Sequence, residues 1–235
     1  MFGHFDPVLL MLVFGFMGIG WLVSRRLKNV FAEYSLIPLL NGMSGKAVAE
    51  KMLRDHGIYD VKVISVEGEL TDHYNPAEKT VNLSSDVYEG KSISSAAVAA
   101  HECGHAVQHA TAYRWLKLRT RIIPIVNFST NMLNIVYGAM FFLAFAAHIY
   151  NQALLAIIVL QAVITLFPLI TLPVEIDASQ RALVWLNSSN ITPGEDHEKA
   201  TTALRWAALT YIVAALASLT TLLYYIMRYM NNNRN

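Results

Sequence analysis

Cysteine and charge are what this sequence has least of. One cysteine among 235 residues, Cys103, rules out any disulfide within the chain and fits a reducing compartment. Charged residues make up only 15% and sum to +1, which predicts neither nucleic-acid nor strongly acidic partners. No internal repeat or low-complexity stretch is visible, and the only tail-like segment is residues 231–235. The amino-terminal apolar run reads as a first transmembrane helix rather than a signal peptide. It has no basic leader and no small-residue cleavage site, and its basic flank lies on the wrong side. What the chain has in plenty is apolar surface: 54% hydrophobic residues and a positive mean hydropathy point to a membrane protein.

Four stretches have the length and composition of spans. Pro7 to Val23 is apolar and uncharged and is stopped by Ser24-Arg25-Arg26-Leu27-Lys28. Leu133 to Ile149 and Leu154 to Val174 read as a pair joined by a tight turn at Tyr150-Asn151-Gln152-Ala153, and Trp206 to Met227 is capped by Arg228. Arg25, Arg26, Lys28, Arg114, Lys117, Arg119 and Arg121 all flank the segment between the first two spans, so the positive-inside rule turns that segment to the cytoplasm. Four crossings then return residues 175–205 to the same side and leave both termini outside. Arg228 and Arg234 weigh slightly against this orientation.

Between Arg25 and Arg121 the composition is that of a small mixed domain. Ser44 to Gly57 reads as one helix, with Ser44 as N-cap, apolar residues at 48, 49, 52 and 53, and Gly57 as the stop. Val61 to Val66, Leu70 to Tyr74 and Thr80 to Leu83 read as strands around an Asn75-Pro76-Ala77-Glu78-Lys79 turn. Such a sheet offers an edge to which an extended peptide can add as a further strand.

The chemistry is concentrated in Ala99-Ala100-His101-Glu102-Cys103-Gly104-His105-Ala106-Val107-Gln108-His109. The helix carrying it begins at Ser92 or Ser94, is apolar almost all round, and is expected to run toward Trp115. Residues four apart lie one turn above each other, so His101 and His105 can aim two imidazoles at one Zn²⁺. Glu102 stands beside them, where it can take a proton from a water activated by the metal. Cys103 fills a variable slot of the motif and reads as a small packed side chain.

A catalytic zinc site usually takes three protein ligands and keeps one open position. His109 continues the same face but lies about 12 Å along the axis from residue 101, too far to share an ion with it. A better third ligand lies in Pro173-Val174-Glu175-Ile176-Asp177-Ala178-Ser179-Gln180-Arg181, where Glu175 follows an apolar span at the start of an expected helix and Asp177 is the reserve. The competing reading makes both carboxylates helix N-terminal charges that complement the macrodipole. Asp177 and Arg181 can pair at i, i+4, which would support the site from outside. For the oxyanion that develops during hydrolysis, His73, Tyr74 and Arg181 are the candidate stabilisers.

These residues resemble the bacterial membrane-bound neutral zinc metallopeptidases, a family of multipass membrane proteases. The resemblance rests on Gly68-Glu69-Leu70-Thr71-Asp72-His73-Tyr74-Asn75-Pro76, on Val81-Asn82-Leu83-Ser84 with Val87-Tyr88, on Ser92-Ile93 through the motif to Ala110, and on the Glu175 stretch. More distantly the chain is similar to the heat-shock and CAAX-type membrane zinc proteases, which carry Glu-x-x-x-Asp after a transmembrane hairpin with the Glu on zinc. Glu175 matches that ligand, while Ser179 stands where the Asp would be.

The resemblance implies a membrane α-helical bundle of about four transmembrane helices with a small α+β zincin-like catalytic domain. Its expected parts are a first transmembrane helix (1–24), a cytoplasm-facing zincin-like domain (25–132), a transmembrane hairpin (133–174), a helical segment that completes the site (175–205), and a last transmembrane helix with its tail (206–235). It implies a zinc metalloendopeptidase of the cell membrane with Glu102 as general base, His101, His105 and Glu175 as metal ligands, and protein or peptide substrates, membrane-associated ones among them. Two readings of other classes compete. A membrane scaffold or chaperone would use the zinc structurally, in a closed four-ligand site. A metal-handling protein would need buried carboxylates or clustered histidines within its spans, where only His148, near a span end, is found.

The expected zinc content is about one ion per chain in detergent-purified protein. That ion should be lost in Glu175→Ala and kept in His109→Ala, as read by metal analysis of the three proteins side by side. Zinc retained without Glu175 would remove it from the ligand set.

Overall fold

The structure, a computed structural model, describes residues 6–142 and 150–233. In chain order the elements are α1 (Pro7–Ser35), α2 (Gly45–Asp55), β1 (Lys62–Val66), β2 (His73–Asn75), β3 (Thr80–Ser84), α3 (Ser85–Glu89), α4 (Ile93–Ala110), α5 (Arg114–Phe142), α6 (Tyr150–Ser188) and α7 (Glu195–Asn232). The chain is mostly helical. Among the described residues three helices, α1, α6 and α7, are long and apolar enough to cross a membrane by length and composition.

The chain divides into two compact units. One takes the described residues of 1–22, 118–172 and 210–235; the other takes 23–117 and 173–209. In the first, Leu133, Leu154, Ile157 and Tyr225 form an apolar cluster. Several of its polar groups pair between helices: the Tyr137 and Tyr225 hydroxyls are 2.9 Å apart, and Thr165 bonds Ser218 at the same distance. Arg228 donates to Asp6 and to the hydroxyls of Tyr150 and Tyr224. Such pairing suits apolar surroundings, where an unpartnered polar group is costly.

The second unit carries the motif. Ser44 caps α2 by accepting from the Ala47 N–H, as its sequence position leads one to expect. Val48, Ala49, Met52 and Leu53 of α2 pack on Ile93, Ala96, Ala97, Ala100 and Cys103 of α4, all fully or almost fully buried. The sheet has the order β1-β3-β2. β1 runs parallel to β3, and β2 pairs antiparallel with β3, with Tyr74 opposite Val81. β3 is buried throughout, while β2 is an edge strand.

Several expected boundaries shift. The motif helix does not reach Trp115. Ala112 adopts a left-handed conformation (φ 55°), and Tyr113 donates back to the Gln108 carbonyl, closing α4 before α5 opens at Arg114. The second strand starts at His73 rather than Leu70, because Leu70 itself turns at φ 56°. α1 continues through Arg25, Arg26 and Lys28, side chains that mark the end of an apolar run yet are good helix formers. Tyr150 to Ala153 is the first turn of α6, not a loop, and α7 begins at Glu195, well before Trp206. Leu133 falls inside α5, while the rest of the expected second span beyond Phe142, His148 and Arg234 lie outside the described residues.

The most consequential shift concerns Glu175. It lies deep inside α6, not at a helix start, so the macrodipole reading of Glu175 and Asp177 has no helix N-terminus to act on. From Pro173 onward α6 presents Val174, Ala178, Ala182 and Leu186, all buried, at helical spacing. This face comes so close to α4 that a Cβ on Gly104 would lie 2.5 Å from the Ala178 carbonyl oxygen. Gly104 is therefore what lets the helix with the histidines and the helix with Glu175 touch backbone to backbone. Gly104→Ala should destabilise the protein by about 1–3 kcal/mol. The expected readout is a lower melting temperature in detergent; an unchanged melt would mean that the two helices can part without cost.

Candidate metal centre

α4 and α6 bring three donor atoms together. The Glu175 Oε2 lies 3.4 Å from the Nε2 of His101 and 3.5 Å from that of His105. One donor atom from each residue falls within 4.8 Å of the others, close enough to hold a single ion. A tetrahedral ion with bonds near 2.1 Å has ligand atoms about 3.4 Å apart, so the spacing suits zinc. The two rings stand nearly perpendicular, with centroids 4.9 Å apart. Glu175 is 3% exposed, His105 is buried, and His101 is the ligand candidate nearest to solvent.

Each imidazole is held from behind. The His105 Nδ1 meets the Gln108 Oε1 at 3.0 Å, and the Gln108 amide nitrogen donates to the Val174 carbonyl at 2.8 Å and to the Asp177 carboxylate at 2.7 Å. Asp177 is in turn gripped by Arg181, whose Nε lies 2.6 Å from Oδ2. The His101 Nδ1 meets the Ser179 hydroxyl at 3.1 Å. Ser179, at the place where the resemblance leads one to expect an aspartate, thus supports a histidine as a neutral group.

Burial alone would lower the basicity of His105. The neighbouring Glu175 carboxylate, the Glu102 charge and the Gln108 contact outweigh it, so its pKa is raised above that of a free histidine. Glu102, one residue after His101, is also buried. Asp72 accepts from the Ser84 N–H and hydroxyl at 2.7 and 3.1 Å; burial still raises its pKa, and the Glu102 charge adds to that.

The other residues singled out in the sequence stand as follows. His73 is exposed on β2, with its Nδ1 on the Thr71 carbonyl at 2.7 Å. The Tyr74 hydroxyl lies 2.8 Å from the Nδ1 of His109, so His109 is engaged by β2. Arg181 is committed to Asp177 and stacks 5.8 Å over the Tyr113 ring. Asp177, the reserve ligand, faces Gln108 and Arg181. The residue that sequence reasoning passed over is Gln108, fully buried three positions after His105. A large polar side chain on that face of an otherwise apolar helix was the signal.

Two imidazoles and one carboxylate converging in a largely helical chain make a donor set that mononuclear zinc proteins use. A family model described as "Putative neutral zinc metallopeptidase" matches residues 9–230, and the chain belongs to that family. It is 39% identical over 216 residues to "Putative membrane protease YugP" of Bacillus subtilis (strain 168), covering 92% of this chain and 93% of that protein. No solved structure matches. The family makes Zn²⁺ the cofactor, and the donor set fits it.

Cys103 provides a check on the packing around the centre. It is buried, its thiol lies 3.5 Å from the Ala49 carbonyl, and burial pushes its pKa well up. A thiol reagent should leave it unmodified in the folded protein and label it only after denaturation. Rapid labelling of the native protein would contradict the close contact of α2 and α4.

Proposed function

We propose that the chain is a multipass membrane zinc endopeptidase whose site faces the cytoplasm. The observation that carries this is the convergence of His101, His105 and Glu175 beside Glu102. Those three residues would hold the zinc, and zinc bound there supplies Lewis acidity to a water and to the scissile carbonyl. Glu102 takes the proton from the attacking water and delivers it to the nitrogen of the departing amine. Burial in an apolar helix keeps competing water away from that transfer.

Substrate presentation follows from the edge strand. Among the described residues β2 pairs with β3 on one side only, and it packs against α4, so an extended peptide can add to its other side. A cavity of about 380 Å³ beside α4 is lined by Phe31, Leu70, Asp72, Val87 and Val98 among others. Val98 lies one turn before Glu102 on the same helix face, which suits the cavity to a substrate side chain next to the reacting bond. Of the three oxyanion candidates, Tyr74 and His73 stand on β2, while Arg181 is held by Asp177. The Tyr74 hydroxyl is itself engaged by His109, so the three stand as candidates of equal rank.

The basic flanks of the 25–132 segment support the cytoplasmic orientation, with four crossings near 1–24, 133–149, 154–174 and 206–227 as part of the proposal. Glu175 follows directly on the apolar run 154–174, so substrates would meet the site close to the bilayer surface.

Glu102→Gln should keep about one zinc per chain and lose peptide hydrolysis, read with a quenched fluorescent peptide or a casein digest against wild type. Turnover retained in that variant would sink the general-base role, and wild-type protein that binds zinc but cleaves nothing would favour a structural zinc.

A further inference from the structure

Resting on that ligand assignment, we propose that Gln108 is a positioning residue that fixes the tautomer and the orientation of His105 for zinc. The reasoning starts from the amide. Its nitrogen has two hydrogens, and each faces a group that can only accept: the Val174 carbonyl at 2.8 Å and the Asp177 carboxylate at 2.7 Å. Flipping the amide would set its oxygen against both acceptors. Arg181 holds Asp177 through Nε at 2.6 Å and Nη2 at 3.4 Å, so the carboxylate cannot turn away.

The amide oxygen therefore faces His105 Nδ1, at 3.0 Å, and can only accept there. Nδ1 must carry a hydrogen, so in the neutral, metal-binding form of the ring Nε2 keeps its lone pair, aimed toward Glu175 3.5 Å away. A lone pair and a carboxylate facing each other are bridged by a proton or by a metal ion. The order Arg181, Asp177, Gln108, His105 thus transmits a fixed hydrogen-bond direction from the surface to the metal position. It also uses the helix that brings Glu175: Val174 and Asp177 flank the ligand in α6 and hold the Gln108 amide.

His101 is supported differently. Its Nδ1 meets the Ser179 hydroxyl, which can donate or accept and so dictates no tautomer. A purely structural Gln108 would affect the stability of the metal-free protein without changing how the loaded protein holds zinc.

The test is zinc affinity of the full-length protein in detergent, measured by competition with a chromophoric chelator, for wild type, Gln108→Leu and Arg181→Met. Gln108→Leu keeps the volume and removes both hydrogen-bonding roles; its affinity should fall about 10- to 100-fold. Arg181→Met acts at the partly exposed far end and should give a smaller fall in the same direction. Wild-type affinity in a folded Gln108→Leu protein, by circular dichroism and elution volume, would overturn the inference. Should Gln108→Leu not fold, Arg181→Met decides, since wild-type affinity there overturns it as well. Selectively ¹⁵N-histidine-labelled, zinc-loaded protein adds a second readout: His105 should show a protonated Nδ1 in wild type, and an unprotonated Nδ1 would overturn the inference. Zinc that is indifferent to Glu175→Ala would instead overturn the ligand set itself, whatever Gln108 does.

Discussion

Two helices held backbone to backbone are the constraint on which the rest of this protein depends. Gly104 of α4 brings its backbone against the Ala178 carbonyl of α6. A side chain there would hold the helices apart by more than the tolerance of a metal site, whose bond lengths vary by only about 0.2 Å. Helix packing at this separation is usual for small-residue contacts. Here it serves a chemical end, because Glu175 of one helix must reach two imidazoles of the other.

The same contact explains why the support of the centre is built from uncharged groups next to the rings. Space between α4 and α6 is short, and a charge without a partner in such a place is costly. Gln108 and Ser179 fill it with groups that hydrogen-bond without net charge, and the charged pair Asp177–Arg181 stands one step further out, where it is partly exposed. An ion pair at that depth loses less solvation than one against the metal would. The result is a gradient from solvent to centre: ion pair, amide, imidazole, metal position.

Under the proposed function, the small sheet and the cavity serve access rather than the centre's stability. β3 is buried and pinned by Asp72 through Ser84, while β2 keeps one side unpaired among the described residues. The polar contacts of the first unit, Tyr137 with Tyr225 and Arg228 with Asp6, are those of apolar helices that satisfy their few polar groups among themselves.

Sequence alone pointed to the membrane-type class and to the pairing of His101 with His105. Apolar composition announced the membrane, and the spacing of His101 and His105 followed from helical periodicity, which is a local property. The N-cap at Ser44, the α2 helix and the existence of three strands were legible for the same reason. Where helices end was less so. Basic residues after an apolar run stop a span but not a helix, and the left-handed turns at Leu70 and Ala112 are made by residues that seldom adopt them, so no composition signal marks them. Glu175 could be named from the missing ligand, but its place deep in α6 could not. The partnership of Gln108 with Val174 and Asp177 spans more than sixty positions of sequence. Only the packing of α6 on α4 decides it, because a hydrogen-bond direction is set by which acceptors lie opposite, and a sequence does not say what lies opposite.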